Sequence, residues 1–207
     1  MMETQTLGLF CLGAFAALAW NSIVGGNSNM KLPHRYIDTV PADEFDYALR
    51  TYADKVYDGE TVVEVLDSTT RAMEEFFRVL PDESLRTRYA PRKWTVAEVI
   101  QHLITYERIF LDRIRVALES TAVVSVPFYT QSSTAEGGNV KSKEQLLHEY
   151  RDVRRKLEAQ IDRLDASELS KGASIDGIRG SIRALVACAS GHQRHHFDVI
   201  RRRYLKR

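Results

Sequence analysis

The stretch TVAEVIQHLITYERIFLDRIRVALE, residues 95–119, has the sequence pattern of a long helix. It opens with Thr95 and Glu98 in the spacing of a capping box, which is typical of a helix N-terminus. The apolar residues behind the box recur every three or four positions: Val99, Ile100, Leu103, Phe110, Ile114 and Leu118. This spacing places them on one face of an α-helix. The pattern predicts a long amphipathic helix that begins beside Trp94 and ends near Glu119.

The same apolar spacing and capping signals in the rest of the chain predict three more long helices: roughly residues 60–80, 142–164 and 181 to the end of the chain. Pro81 ends the first of these helices, and Ser142 and Ser181 begin the other two. A shorter helix is predicted over residues 41–56, with Pro41 in its first turn.

Residues 121–141 are predicted to form a long loop, and no strand alternation of useful length separates the helices. Four helices of about twenty residues are the parts of a helix bundle. The predicted fold is therefore all-α, an antiparallel four-helix bundle with a short extra N-terminal helix.

Residues 1–30 differ from the rest of the chain. The run from Leu7 to Trp20 is apolar throughout, but as a helix it would be only about 21 Å long. A hydrocarbon core is about 30 Å thick, so no stable membrane span is predicted. Two interpretations stay open: a signal or anchor segment that lacks the usual positive start, or a start codon placed upstream of Met30. Under either one, residues 1–30 lie outside the fold and residues 31–207 form a single domain.

Charge and cysteine usage limit the partners and the compartment. The chain has 29 basic and 28 acidic residues, a net charge of +1, so no bulk field favours nucleic acid. The basic C-terminal residues are predicted to form a solvated helix end. Cys11 and Cys188 lie in unlike segments, which argues against a disulfide and predicts a cytoplasmic protein. Export or membrane anchoring is the alternative if residues 1–30 act as a signal.

The last predicted helix contains the stretch SGHQRHHFDVIRRRYL, residues 190–205, with half of the six histidines of the chain. At 100° per residue His192 and His196 fall on the apolar side of this helix, and His195 falls on its flank. Two inward imidazoles one turn apart form a chelating pair for a metal ion.

A third ligand is expected from a neighbouring helix. His34 precedes the core and His148 lies in a charge-rich helix, which leaves His102. Its position is on the flank of the apolar face, where a bundle helix can meet a second neighbour. The geometry permits His102 as a ligand but does not require it, and a hydrogen-bonded core histidine is the other interpretation.

Three stretches carry a resemblance to a known family: FDYALRTYADKVYDGETVVEVL (45–66), YAPRKWTVAEVIQHLITYERIFLDRI (89–114) and GHQRHHFDVIRRRYL (191–205). Together they resemble the DinB/YfiT-like superfamily of metal-binding four-helix bundles, over about residues 41–205. The resemblance implies a divalent ion, most often zinc or nickel, held by His102, His192 and His196. Members include thiol transferases that join small thiols such as bacillithiol to electrophiles, and metal-dependent hydrolases. Dimers are common among them, so the resemblance implies a homodimer.

The expected function is therefore that of a metal-dependent enzyme with a small-molecule substrate, in which a three-histidine centre activates a thiol or water. No further catalytic residue is assigned: Tyr106 and Cys188 are interpreted as packing residues, and Glu107 lies off the face of His102. The alternative is a non-catalytic metal- or ligand-binding bundle of a stress response. Similar sequences often carry Pro-Gly-Phe followed by an acid after the second helix. This chain has Pro127-Phe128-Tyr129-Thr130 there, so the resemblance does not extend to a substrate.

Overall fold

The computed structural model describes residues 40, 44, 46–56, 60–119, 134–175 and 178–205. The described residues belong to one compact unit, 33–207. The predictions for residues 1–30, for His34 and Cys11, and for the segment 127–130 fall outside the described residues.

The described elements are mostly helical. They are α1 (Tyr47–Ala53), α2 (Val62–Val79), α3 (Val96–Glu119), α4 (Lys143–Ile161), α5 (Ala166–Leu169) and α6 (Ile182–Val199). Short 3₁₀ turns cover Asp82–Arg86 and Gly138–Val140, and α6 continues into a π-helical turn, Ile200–Tyr204. The predicted all-α four-helix bundle is confirmed, with α2, α3, α4 and α6 as the long helices and α1 as the short extra one. None of the described helices is long and apolar enough to cross a bilayer.

Local capping chemistry sets where the long helices begin. The Thr95 hydroxyl accepts a hydrogen bond from the Glu98 amide, and the Glu98 carboxylate accepts one from the Thr95 amide. Ser142 and Gln145 form the same reciprocal pair at the start of α4. Ser181 caps α6 by accepting from the Ala184 amide. Each cap satisfies amide groups that have no partner within the helix, which is why the predicted starts are correct.

The four long helices form a ring in which α2 and α3 each pack against α4 and α6. Helices α3 and α6 are antiparallel, because Trp94 contacts Tyr204 and Phe110 contacts His192. Helices α3 and α4 are parallel, because Lys141 bonds Gln101 near the start of both. Farther along them, Arg108 pairs with Glu149.

The bundle is consequently not antiparallel at every interface. Helix α2 is parallel to α6, since Val62 contacts Ser190 while Phe76 contacts Phe197. It is antiparallel to α4, since Lys143 bonds the Leu80 carbonyl at one end while Arg151 pairs with Glu74 farther along. Two long helices that follow one another in the chain and run parallel, such as α3 and α4, need a connection long enough to return to the starting end of the bundle. The 23 residues between Glu119 and Lys143 provide that length.

A two-stranded antiparallel hairpin precedes α6, and the sequence analysis did not predict it. Strand β1 (Gly172–Ile175) pairs antiparallel with β2 (Ile178–Ser181), in the register Gly172 opposite Ser181. The two residues between the strands are Asp176 and Gly177, a dipeptide typical of two-residue hairpin loops. The Asp-Gly dipeptide indicates a hairpin turn. The flanking strands have only four residues each, which is too short for a clear alternation of apolar and polar residues.

Helix α1 packs on α6 at a glycine. A Cβ atom added at Gly191 would lie 1.8 Å from the backbone oxygen of Tyr52 and 3.0 Å from the Cβ of Lys55. The absent side chain therefore allows the backbones of α1 and α6 to touch. This contact brings Tyr52 to the face of α6 that carries His192 and His195.

Candidate metal centre

The three histidines that the sequence singles out meet inside the bundle. The Nε2 atom of His102 lies 3.2 Å from Nε2 of His192 and 3.1 Å from Nε2 of His196. The potential ligand atoms of all three lie within 4.8 Å of one another, and only 2% of His102 and 1% of His192 is exposed. Two nitrogens bound to one tetrahedral ion, at about 2.0–2.1 Å each, would be about 3.3 Å apart.

The flank position of His102 becomes interior because α3 packs against two helices at once. Residues 99–104 are all buried, so this part of α3 has no solvent face. The other ring nitrogen, Nδ1, lies 2.6 Å from the Thr134 hydroxyl. Such a partner fixes the ring orientation, and with Nδ1 as the donor it leaves the lone pair of Nε2 facing the other histidines. Sequence reasoning missed Thr134, which it placed in an undifferentiated loop.

Aromatic rings enclose the three imidazoles. The Tyr106 ring packs against both His102 and His192, with centroids 4.6 and 4.5 Å away. Trp94 lies 4.7 Å from the His102 ring, and Tyr52 meets His192 edge-on at 4.8 Å. Tyr106 therefore lines the cluster as well as packing in the bundle. The rings shield the imidazoles from water and leave the polar nitrogens as the reactive surface.

The electrostatics of the cluster suit a cation. Burial lowers the pKa of His102 to about 4, with His195 adding to the effect. Burial likewise lowers the pKa of His196 to about 3, and it holds the pKa of His192 well below its usual range. All three rings are therefore neutral at pH 7. Each neutral ring has one unprotonated nitrogen, and the lone pairs of these nitrogens can converge on one cation. Neutral imidazoles are the form that ligates metals, and the residues therefore fit a divalent ion.

A groove of about 480 Å³ reaches the cluster through His196. Its walls come from the segment before α3, with Tyr89, Arg92 and Trp94, and from the π-helical turn, with Tyr204. The Tyr204 hydroxyl donates a hydrogen bond to the Trp94 carbonyl at 2.6 Å, which links the two walls.

Comparison with family models gives a match to the DinB superfamily over residues 65–200, which is more than half of the chain. The chain belongs to the DinB superfamily. Among solved structures, this DinB protein is similar to YfiT from Bacillus subtilis, described as a probable metal-dependent hydrolase with an unusual four-helix bundle topology. The two chains are 17% identical with a TM-score of 0.61, over 83% of this chain and 98% of YfiT. The likeness shows the fold, and comparison with curated proteins gives no match.

The remaining candidate residues of the DinB protein lie apart from the cluster or at its edge. His195 is half-buried and packs against the His196 ring at 4.9 Å, on the rim as expected. His148 is exposed on α4. Cys188 is buried in the apolar core, and burial raises the pKa of its thiol to about 12, so it is a packing residue and not a nucleophile.

Glu107 forms a buried ion pair that the sequence did not predict. Its Oε1 atom lies 2.5 Å from the Arg154 guanidinium and accepts a hydrogen bond from the Gln193 amide at 2.5 Å. Both charged side chains are only 1% exposed. Burial raises the pKa of Glu107 to about 7, while the Arg154 guanidinium opposes that rise. Glu107 thus joins α3 to α4 and α6 and is not a partner of an imidazole.

The buried histidines make the stability of the metal-free DinB protein depend on pH. In the unfolded chain, His102 and His196 take up protons below the ordinary histidine pKa of 6.5. In the folded protein they do so only near pH 4 and pH 3, respectively. We expect the free energy of unfolding to be at its maximum above pH 6.5. It should fall as the pH drops, by up to about 1.4 kcal/mol per pH unit per histidine. Urea unfolding of chelator-treated protein at pH 7, 6 and 5 measures this slope. A His196→Gln variant with an equally steep slope would show that His196 is not the source.

Proposed function

We propose that this DinB protein binds one divalent cation through His102, His192 and His196 and uses it to transfer a small thiol to an electrophile. The observation that carries the proposal is the convergence of three neutral Nε2 atoms within ligand distance of one another. Imidazole ligands suit zinc and nickel, which are the proposed ions. The cytoplasmic location and the homodimer expected from the sequence stay predictions.

A thiol is favoured over water as the activated group. An ordinary thiol has a pKa of about 8.5, whereas bulk water has a pKa of about 15.7, so a thiol needs the smaller shift to react at pH 7. Activation of water is commonly assisted by a carboxylate base. Within the described parts of the chain, the three-histidine group contains no carboxylate, and Glu107 is held by Arg154 and Gln193. Hydrolysis is the second reaction of the proposal.

A divalent ion held by His102, His192 and His196 would supply Lewis acidity, which lowers the pKa of a thiol or water. The protein supplies the rest. The Thr134 hydroxyl orients the His102 ring. The side chains of Tyr106 and Trp94 keep water from the imidazoles, and the groove at His196 admits the substrates. In the proposed reaction the thiol releases its proton to solvent and its sulfur forms a bond to the electrophilic carbon. The leaving group departs with the electron pair of the bond that breaks.

Metal analysis of the purified protein tests the binding step. We expect about one zinc or nickel ion per chain after equilibrium dialysis, and at least about 100-fold weaker binding in His102→Ala and His196→Ala, because each removes a direct ligand. The matched control is His148→Ala, an exposed histidine on α4, which should bind like the parent protein. Equal binding by the control and the cluster variants would contradict the proposed ligand set.

Turnover separates the enzyme from the binding module. Loaded protein is supplied with small thiols and an aryl halide, and separately with simple esters, with His196→Ala as the inactive reference. Thiol consumption that requires both the ion and His196 supports the transferase, and ester cleavage supports the hydrolase. If the ion binds, stabilises the fold and promotes neither reaction, the chain is a metal-binding module.

A further inference from the structure

The groove beside His196 is positively charged. Arg92 and Lys93 both line it, and both side chains are exposed. No acidic residue is among the described residues that line the groove, and neither cation has an ion-pair partner in the described ranges. By contrast, nearby Arg88 lies 2.9 Å from the Glu98 carboxylate and is neutralised by it. Two uncompensated cations in a concave surface attract an anion.

The backbone of Arg92 adds an independent observation. Its φ angle is +61°, and it is the one residue other than glycine in the described ranges with a positive φ. This left-handed conformation is unfavourable for a side chain with a Cβ atom, and glycine adopts it without strain. Strained residues of this kind concentrate at ligand-binding sites. The Lys93 amide bonds the Ala90 carbonyl, so Arg92 holds the third position of a turn in which Pro91 is second, where glycine is the usual residue.

The other walls of the groove are aromatic. Tyr89 and Tyr204 meet edge to face with their centroids 5.0 Å apart, and 39% of Tyr89 is exposed. Trp94 lies between the groove and the His102 ring. An apolar or planar group that enters the groove therefore contacts rings on its way to His196.

We infer that the substrate that enters this groove is an organic anion, whose carboxylate or phosphate group is held by Arg92 and Lys93. Its apolar part lies along Tyr89, Trp94 and Tyr204, and its reacting end faces the three histidines. The guanidinium of Arg92 matches the geometry of either oxyanion through paired hydrogen bonds. The placement of the reacting end rests on the proposed function, whereas the anion site is a property of the groove alone.

Calorimetric titration with three aromatic probes tests the inference: benzoate, phenyl phosphate and neutral benzamide. In metal-free protein at low salt we expect at least one of the two anions to bind about tenfold or more tightly than benzamide, because charged hydrogen bonds hold it. The stronger of the two anions identifies the headgroup. The preference should shrink to within about twofold in the Arg92→Gly/Lys93→Gln variant and should weaken as salt is raised. Arg71→Gln, which removes an exposed cation on α2, is the matched control and should keep the full preference.

The same titrations on zinc-loaded protein distinguish the two proposals. An anion preference that appears only with zinc and survives in Arg92→Gly/Lys93→Gln would mean that the anion binds the metal, and it would overturn the inference. Equal binding of all three probes would overturn it as well. Either result leaves the stoichiometry and ligand test of the metal centre unaffected, and a protein that binds no metal leaves the metal-free titrations valid.

Thermal unfolding adds a readout that separates binding from structure. Arg92→Gly removes the left-handed strain, so the midpoint of unfolding should rise by about 2–4 °C while anion binding falls. A variant that loses stability and anion binding together would assign Arg92 to the fold and would overturn its assignment to the ligand.

Discussion

Replacement of Arg154 by methionine is expected to lower the free energy of unfolding by about 3–5 kcal/mol. The variant leaves the Glu107 carboxylate inside the bundle without its cation, and only 1% of that side chain reaches solvent. Glu107 must then take up a proton or remain as an isolated buried charge, and both states destabilise the folded form. Urea unfolding at pH 7, followed by the helical circular dichroism signal, measures the change.

The neighbouring Arg155 provides the control for this prediction. It lies on the same helix with its side chain 71% exposed, so Arg155→Met should change stability by no more than about 0.5 kcal/mol. The Glu107→Gln/Arg154→Met double variant removes both charges and keeps an amide oxygen for Gln193. It should recover much of the lost stability, because breaking a buried pair is more harmful than removing it. Equal losses in Arg154→Met and Arg155→Met would contradict the buried pair.

The second large effect is expected from Gly191→Ala. The new methyl group would lie 1.8 Å from the Tyr52 carbonyl oxygen, a backbone atom that no side-chain rotation can remove. Helix α1 must move away from α6, which separates Tyr52 from the His192 ring. Overpacking of this kind usually destabilises by about 1–3 kcal/mol, and a backbone clash belongs at the upper end or above.

Limited proteolysis reports the displacement of α1 directly. Trypsin should cleave Gly191→Ala faster than the parent protein after Arg50 and Lys55, which lie in and just after α1. Gly172→Ala is the matched control, since a Cβ atom there meets nothing within 4 Å. It should keep the parent cleavage pattern and stability. Unchanged cleavage in Gly191→Ala would mean that the α1–α6 contact is looser than the structure indicates.

The parts of the fold that local chemistry determines were predictable from the sequence. The reciprocal bonds at Thr95 and Ser142 involve residues three apart, so the starts of α3 and α4 are visible in the sequence itself. The same holds for His192 and His196, because the 3.6-residue period alone places both on one side of α6.

Features that depend on which helices become neighbours were not predictable. The charge-rich sequence of α4 suggests a solvated surface, yet Arg154 points inward because α3 supplies Glu107. The burial of His102 depends on contacts of α3 with two helices, and its bond to Thr134 spans 32 residues. Helical periodicity contains no information on the parallel pairing of α3 and α4. These features arise from tertiary packing, which overrides what each segment prefers alone.

The histidine cluster draws on segments that are remote along the chain. His102 is 90 residues from His192 and 94 from His196 along the chain. The Tyr52 ring, which packs on His192, comes from α1, the first of the described helices. Closing loops of this length costs chain entropy that the contacts of the folded bundle must offset. The cluster exists only where α1, α3 and α6 are packed together. A mutation far from the cluster that separates any of these helices therefore disrupts it without altering any of its residues.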